Sequence, residues 1–164
     1  AVGALSKINS WKHPATYAQT LKTGMACARV MATISRMQAK AGRWFVVENP
    51  YQSELFKLPE MWKLKRDFNV GDVSFPQCAV GLTNPEGTLP ILKWTTLWSN
   101  SPDVLEEFRG LTCTCKEHSK MVGTYGGYNR SQLAQIWPME MCHKIVNGVA
   151  RTISRLGRPT SMTY

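Results

Sequence analysis

The sequence points to an α/β fold in which helices flank a mixed sheet, and three observations carry that expectation. The stretch Gly42-Arg43-Trp44-Phe45-Val46-Val47-Glu48-Asn49-Pro50 reads as a helix stop, a short apolar strand and an abrupt polar turn. Four consecutive apolar residues without alternation suit a strand buried on both faces, as in a parallel sheet covered by helices. Long segments of helical periodicity lie on either side, over residues 15–41 and from Pro138 to Leu156. Between them, Val70–Phe75, Gln77–Leu82 and Ile91–Trp98 are rich in β-formers and are punctuated by the turn residues Asn84-Pro85-Glu86-Gly87.

Each element has its own signals. Ala1–Pro14 is an irregular leading segment. In the first helix, at about 100° per residue, Tyr17, Gly24, Cys27, Ala28, Met31 and Ile34 share one face and Lys22, Arg29, Arg36 and Lys40 the opposite one. Cys27 is expected in the core, and Gly42 is expected to cap the helix. Beyond Pro50, Tyr51–Lys57 suits a short helix and Pro59–Phe68 another, with proline at its first position. Residues 77–98 are expected to form a hairpin. Ser101-Pro102-Asp103 starts a helix running to about Arg109, since it offers a cap, a first-position proline and an acid in the first turn. A loop rich in Cys, Tyr and Gly spans 110–130. Ser131–Trp137 is a helical turn or two, and the last helix carries Cys142, Ile145, Val146, Val149, Ile153 and Leu156 on its apolar face. A single α/β domain over 1–156, with a tail over 157–164, is the expected organisation. One doubly buried strand is few for a complete doubly wound domain, so the domain is expected to be part of a larger fold.

Composition narrows the class. A chain of 164 residues with 43% hydrophobic content suits one globular domain with a core of its own. No apolar run approaches the ~20 residues of a membrane span, so no membrane insertion is expected. Net charge is +9, unevenly spread. Residues 1–47 hold seven Lys/Arg and no acid, and residues 118–164 hold six against Glu140 alone. Residues 48–117 hold seven basic and ten acidic groups. Two basic ends point to a polyanionic partner, DNA or RNA, while general solubility or an organellar style of composition explains the same counts. Five cysteines at irregular spacing make no disulfide framework, which suggests an intracellular, reducing compartment.

Three groups of residues are candidates for chemistry. In open α/β sheets the ligand crevice lies beyond the carboxyl ends of strands, where Glu48 and Asn49 are expected. Cys113-x-Cys115-x-x-His118, with Cys142-His143 further on, offers soft thiolates and imidazole for a structural zinc site, with Cys142 or His143 as fourth ligand. A plain loop with reduced cysteines is the alternative. For a polyanion, the candidates are Lys22, Arg29, Arg36 and Lys40 on the first helix and Arg130, Arg151, Arg155 and Arg158 towards the other end. Tyr125 and Tyr128, in the loop that leads to Arg130, can stack bases or simply turn the chain and cover the core.

Taken as an ordered series, these residues resemble a known family. Phe45-Val46-Val47-Glu48-Asn49-Pro50 followed by Ser53-x-Leu55-Phe56-x-Leu58-Pro59-x-Met61 is similar to the middle of cytosine-5 DNA methyltransferase-like domains, especially the divergent forms in phage and retroelement polyproteins. The likeness continues through Gln77-Cys78-x-x-Gly81-Leu82, Lys93-x-Thr95 and Trp98-Ser99-Asn100-Ser101 to Cys113…His118, Arg130 and Trp137-Pro138-x-x-x-Cys142, covering residues 43–146. The resemblance implies the carboxyl-terminal part of a Rossmann-like methyltransferase fold, with S-adenosylmethionine as cofactor. Glu48 would be the acid that holds the cytosine ring N3.

The departures bear on the chemistry. No Phe-x-Gly-x-Gly pattern is present for the cofactor. The nucleophilic cysteine is expected where the chain reads Val2, and the family's Gln-x-Arg appears as Gln77-Cys78-Ala79. C5 methylation needs a thiolate at C6, an extruded base and a bound methyl donor. The expectation is therefore a methyltransferase-like module, inactive as this chain, that binds nucleic acid through its basic ends. The alternative is an accessory subunit of a larger protein or ribonucleoprotein assembly. Catalysis would need a missing half.

Overall fold

The computed structural model describes residues 14–157. Val2, the leading segment before Pro14, Arg158 and the rest of the expected tail lie outside them, as does the side chain of Tyr17. The described residues form a mixed α/β chain with small antiparallel sheets. They pack as two compact units, one running through Asp72 and including Thr96–Asn100, the other made of Val73–Thr95 and the chain from Ser101 onward.

The first unit opens with α1 (Pro14–Lys40), a run of strong helix formers. It ends as expected at Gly42, whose φ of +66° opens a left-handed cap. The Arg43 N–H reaches the Gln38 carbonyl at 2.9 Å and the Gly42 N–H the Ala39 carbonyl at 3.0 Å, which closes the last carbonyls. The buried face keeps Gly24 and Ala28 of the expected one and is rotated towards Ala32 and Ser35. Gly24, Ala28, Ala32 and Ser35 are buried, whereas Cys27 and Ile34 are exposed. Small residues let α1 approach closely, and the core is filled from the other side by Leu55, Phe56, Met61 and Leu64.

These side chains come from a 3₁₀ turn, Glu54–Lys57, capped by the Ser53 hydroxyl, and from α2 (Pro59–Asp67), which starts on Pro59 as expected. Trp98 closes the core by stacking on Phe56 at 4.8 Å between ring centroids. The Lys65 ammonium lies 4.7 Å from the Trp98 ring centroid.

β1 (Val46–Pro50) corrects the expectation of a strand buried on both faces. Its residues alternate, with Val47 and Asn49 buried and Val46, Glu48 and Pro50 half-buried. β2 (Gly71–Pro76) and β3 (Trp94–Ser99) complete a three-stranded sheet in the order β1-β3-β2. β1 is an edge of that sheet, and an edge strand with one covered face alternates. Its start is fixed by Asn100, whose side chain accepts from the Phe45 N–H at 3.0 Å and donates to the Arg43 carbonyl at 3.1 Å. Glu48 and Asn49 therefore lie within the strand and not in a turn beyond it.

In the second unit the expected 77–98 hairpin is replaced. Gln77–Val80 is a 3₁₀ turn that ends on Gly81 at φ +88°, and the antiparallel pairing is a single bridge, Thr83 to Pro90. Prolines at 76, 85 and 90 remove ladder donors through this segment. α3 (Pro102–Glu106) starts as expected, the Ser101 hydroxyl accepting from the Val104 N–H at 3.3 Å. A short hairpin of β4 (Thr124–Tyr125) and β5 (Tyr128–Asn129) precedes α4 (Arg130–Leu133) and α5 (Met139–Arg155).

α5 packs on α3 through Gly148, where an added Cβ would lie 2.5 Å from the Val104 Cα. Its fully buried residues are Met141, Gly148 and Thr152, while Val146 and Leu156 of the expected face are exposed. The close approach at Gly148 sets which side of the helix faces inward.

Candidate metal centre

Four ligand atoms converge in the second unit. The Sγ atoms of Cys78, Cys113 and Cys115 and a ring nitrogen of His118 all lie within 4.8 Å of one another. Cys113 Sγ is 3.2 Å from His118 Nε2. A tetrahedron with Zn–S bonds of about 2.3 Å has edges of about 3.8 Å, so the widest pair would need to close by about 1 Å. Three thiols and one imidazole match the donor set of a structural zinc site.

Local structure explains the convergence. Cys78 is buried in the 3₁₀ turn Gln77–Val80, which is pinned by the Gln77 N–H to the Lys93 carbonyl at 2.8 Å and the Leu82 N–H to the Gln77 carbonyl at 3.0 Å. Just ahead of that turn, Phe75 stacks on Phe108 at 4.6 Å. Gly110, at φ +73°, then sends the chain out of the turn that follows α3. Cys113, Cys115 and His118 follow on a segment without regular secondary structure, which is anchored by the Ser119 N–H to the Pro90 carbonyl at 2.8 Å.

The thiols differ in acidity. Burial, with the neighbouring Cys113 and Cys115, pushes the Cys78 thiol up to about 12. A backbone N–H at Cys115 holds Cys113 below its ordinary value, partial desolvation opposes this, and hydrogen bonds from the Cys78 and Cys115 thiols add to the lowering. Cys113 is therefore the more readily deprotonated of the two, and Cys78 is its hydrogen-bonding partner.

This arrangement corrects one predicted ligand. Cys142 lies on α5 outside the cluster, and Cys78 stands in its place. His143, the other candidate, is also absent from it. The Cys-x-Cys-x-x-His run was legible in sequence, whereas Cys78 lies 35 residues ahead of Cys113 and only the fold joins them. The one sequence signal at Cys78 is its turn position, between Pro76 and Gly81 after a strand.

The remaining candidates are dispersed. Glu48 and Asn49 belong to β1 in the first unit, and both have partners. Half of the basic stripe on α1 faces α2, with Arg29 3.4 Å from Glu60 and Arg36 3.2 Å from Asp67. Lys22 and Lys40 make no ion pair with another described residue. Arg151 pairs with Glu107 at 2.5 Å and Arg155 with Asp103 at 2.8 Å, so both are engaged with α3 and the turn after it. Arg130 forms a two-pronged ion pair with Glu86. Those hydrogen bonds hold the Glu86 carboxyl below its usual range, against partial desolvation. Tyr125 and Tyr128 stand opposite each other in the β4–β5 hairpin.

No family model, curated protein or solved structure matches the chain. The geometry is compatible with a metal ion and gives no support for S-adenosylmethionine. No helix among the described residues is long and apolar enough to cross a membrane.

Proposed function

We propose that this chain is a non-catalytic nucleic-acid-binding module organised by a structural zinc ion on Cys78, Cys113, Cys115 and His118. The observation that carries the proposal is the convergence of those four ligand atoms within 4.8 Å. Zinc bound there would tie the turn after β2 to the segment after α3. All four protein ligands fill the tetrahedron and leave no position for substrate, which is the pattern of a structural site. The ancestry follows the ordered motif series shared with cytosine-5 methyltransferase-like domains. Loss of chemistry follows Val2 at the nucleophile position and the missing glycine loop. The net charge of +9 supports a polyanionic partner, with Lys22 and Lys40 as its available contacts on α1.

The test is a titration of the zinc-loaded chain with single- and double-stranded oligonucleotides at low salt, repeated after chelation and with labelled S-adenosylmethionine present. The expected results are binding that weakens steeply with salt and weakens again on chelation, with no label transferred to nucleic acid. A flat titration would reject the nucleic-acid reading. Transfer of label that depends on Glu48 would reject the non-catalytic one.

A second reading has an observation of its own. Val30, Ile34 and Met37 on α1 are 59%, 52% and 62% exposed, an apolar stripe at helical spacing. Together with the internal pairing of Arg29, Arg36, Arg151 and Arg155, this favours an accessory subunit that buries α1 against another protein. In that case a charge placed in the stripe, such as Ile34→Glu, should release the chain from its assembly and leave oligonucleotide binding unaltered.

A further inference from the structure

The β4–β5 hairpin sets Tyr125 directly opposite Tyr128 and leaves the two rings 45% and 64% exposed. With Ile91, Leu133, Ala134 and Ile136 they line a hollow of about 410 Å³. That volume lies within the usual range for small-ligand sites. The floor is fixed, because Ile91 and Ala134 belong to a small buried apolar cluster with Leu82. The Lys93 ammonium holds the Ala134 carbonyl at 3.1 Å. One wall is braced as well, since the Arg130 guanidinium stands 5.8 Å from the Tyr125 ring centroid and is itself held by Glu86.

Two exposed tyrosine rings beside an apolar floor suit a flat, apolar-faced group. A base offers such a face whatever its identity, and stacking on tyrosine is a common way to hold single strands. The charge around the hollow favours a nucleic acid over an apolar peptide. Lys120 follows Ser119, whose N–H is held by the Pro90 carbonyl beside the floor residue Ile91; Lys116 lies four residues earlier on the same segment, and neither lysine makes an ion pair with another described residue.

We propose that this hollow takes one unstacked base of a single-stranded nucleic acid, with a ring face on Tyr125 or Tyr128 and the adjoining phosphates near Lys116 and Lys120. The proposal deepens the nucleic-acid reading above and rests on it. The metal cluster ends at His118, six residues before β4, so the ion would also steady the ribbon that presents the two tyrosines.

The experiment titrates the full zinc-loaded chain with single-stranded oligonucleotides carrying 2-aminopurine, and with a base-free deoxyribose-phosphate oligomer of the same length. The expected results are quenching of 2-aminopurine and about tenfold weaker binding of the base-free oligomer. Tyr125→Ala and Tyr128→Ala should each weaken the 2-aminopurine oligomer about tenfold, Tyr→Phe at either position should not, and the salt slope should be unchanged. Equal affinity for the base-free oligomer, together with unaffected Ala variants, overturns the base pocket and leaves the polyanion reading standing. No binding of either oligomer at low salt overturns both. Binding of a tryptophan-bearing peptide in their place assigns the hollow to a protein partner and overturns the proposal.

Discussion

A thiol buried as Cys78 is must lose its proton before it can bind a metal, and its own environment opposes that loss. Zinc repays the cost by replacing the proton, so binding releases protons and strengthens as pH rises. Calorimetry in two buffers of different ionisation enthalpy should show proton release on zinc binding, and affinity should grow between about pH 6 and pH 9 as the thiols give up protons. The acidity order has a second consequence. In the metal-free chain Cys113 should be alkylated before Cys78, with mass mapping as the readout; an inverted order would contradict the geometry of the cluster. At this scale the sequence disclosed three of the four ligands, because Cys113, Cys115 and His118 lie within six residues of one another. It could not disclose Cys78, whose place depends on a turn between Pro76 and Gly81, and it offered Cys142 on the strength of residue type alone.

Among elements, the contact of α5 with α3 is the most sharply defined. A methyl group at Gly148 would meet the Val104 backbone at 2.5 Å, and backbone cannot step aside as a side chain can. Gly148→Ala should destabilise the chain by about 1–3 kcal/mol in a denaturant titration, although alanine is the better helix former. Thr152 sits in the same contact, its hydroxyl 2.7 Å from that of Ser101 and 2.9 Å from the Gly148 carbonyl. Thr152→Val should cost about 1–3 kcal/mol by leaving the buried Ser101 hydroxyl and Asp103 carboxylate short of a partner.

The hairpin gives a pH prediction. Glu86 titrates lower in the folded chain than in the unfolded one, so the folded state binds fewer protons. The contribution of its pair with Arg130 is present above about pH 4.5 and is lost as pH falls through the lowered folded value. Glu86→Gln should therefore flatten the acid limb of a thermal-melt series below pH 4.5, and an unchanged limb would count against the pair.

The element boundaries were the legible part of the fold, since Pro59 and Ser101-Pro102 at helix starts and Gly42 at a helix end act locally through φ and capping. The strand expected over 77–82 failed because proline and glycine at its ends outweighed the β-formers within it. The inward faces of α1 and α5 were placed only in part, with Cys27 and Ile34 on one and Val146 and Leu156 on the other exposed. Close approach at small residues, Ala32 and Ser35 on one helix and Gly148 on the other, turned them, and hydrophobic periodicity gives small residues little weight.

For the molecule as a whole, the net charge overstates what is available to a partner. Arg29, Arg36, Arg130, Arg151 and Arg155 all have acidic neighbours inside the fold, although exposed pairs of this kind contribute little to stability. Reversing Lys22 and Lys40 together should weaken single-strand binding and lower the salt slope by about 1.4, two phosphates' worth, with little change in stability. The α/β class was visible in the order of helices and β-rich runs. The antiparallel sheet and the division into two units were not, because both depend on chain segments that meet far apart in sequence.

The central claim is the four-ligand zinc centre. The most direct measurement combines elemental analysis with X-ray absorption at the zinc edge, on protein purified under reducing conditions without chelator. The account predicts one zinc per chain, with three sulfurs at about 2.3 Å and one nitrogen at about 2.0 Å. Cys78→Ser should remove a sulfur from that shell, and Cys142→Ser should leave it intact. A metal-free chain, or a shell that loses sulfur with Cys142 and not with Cys78, would contradict it.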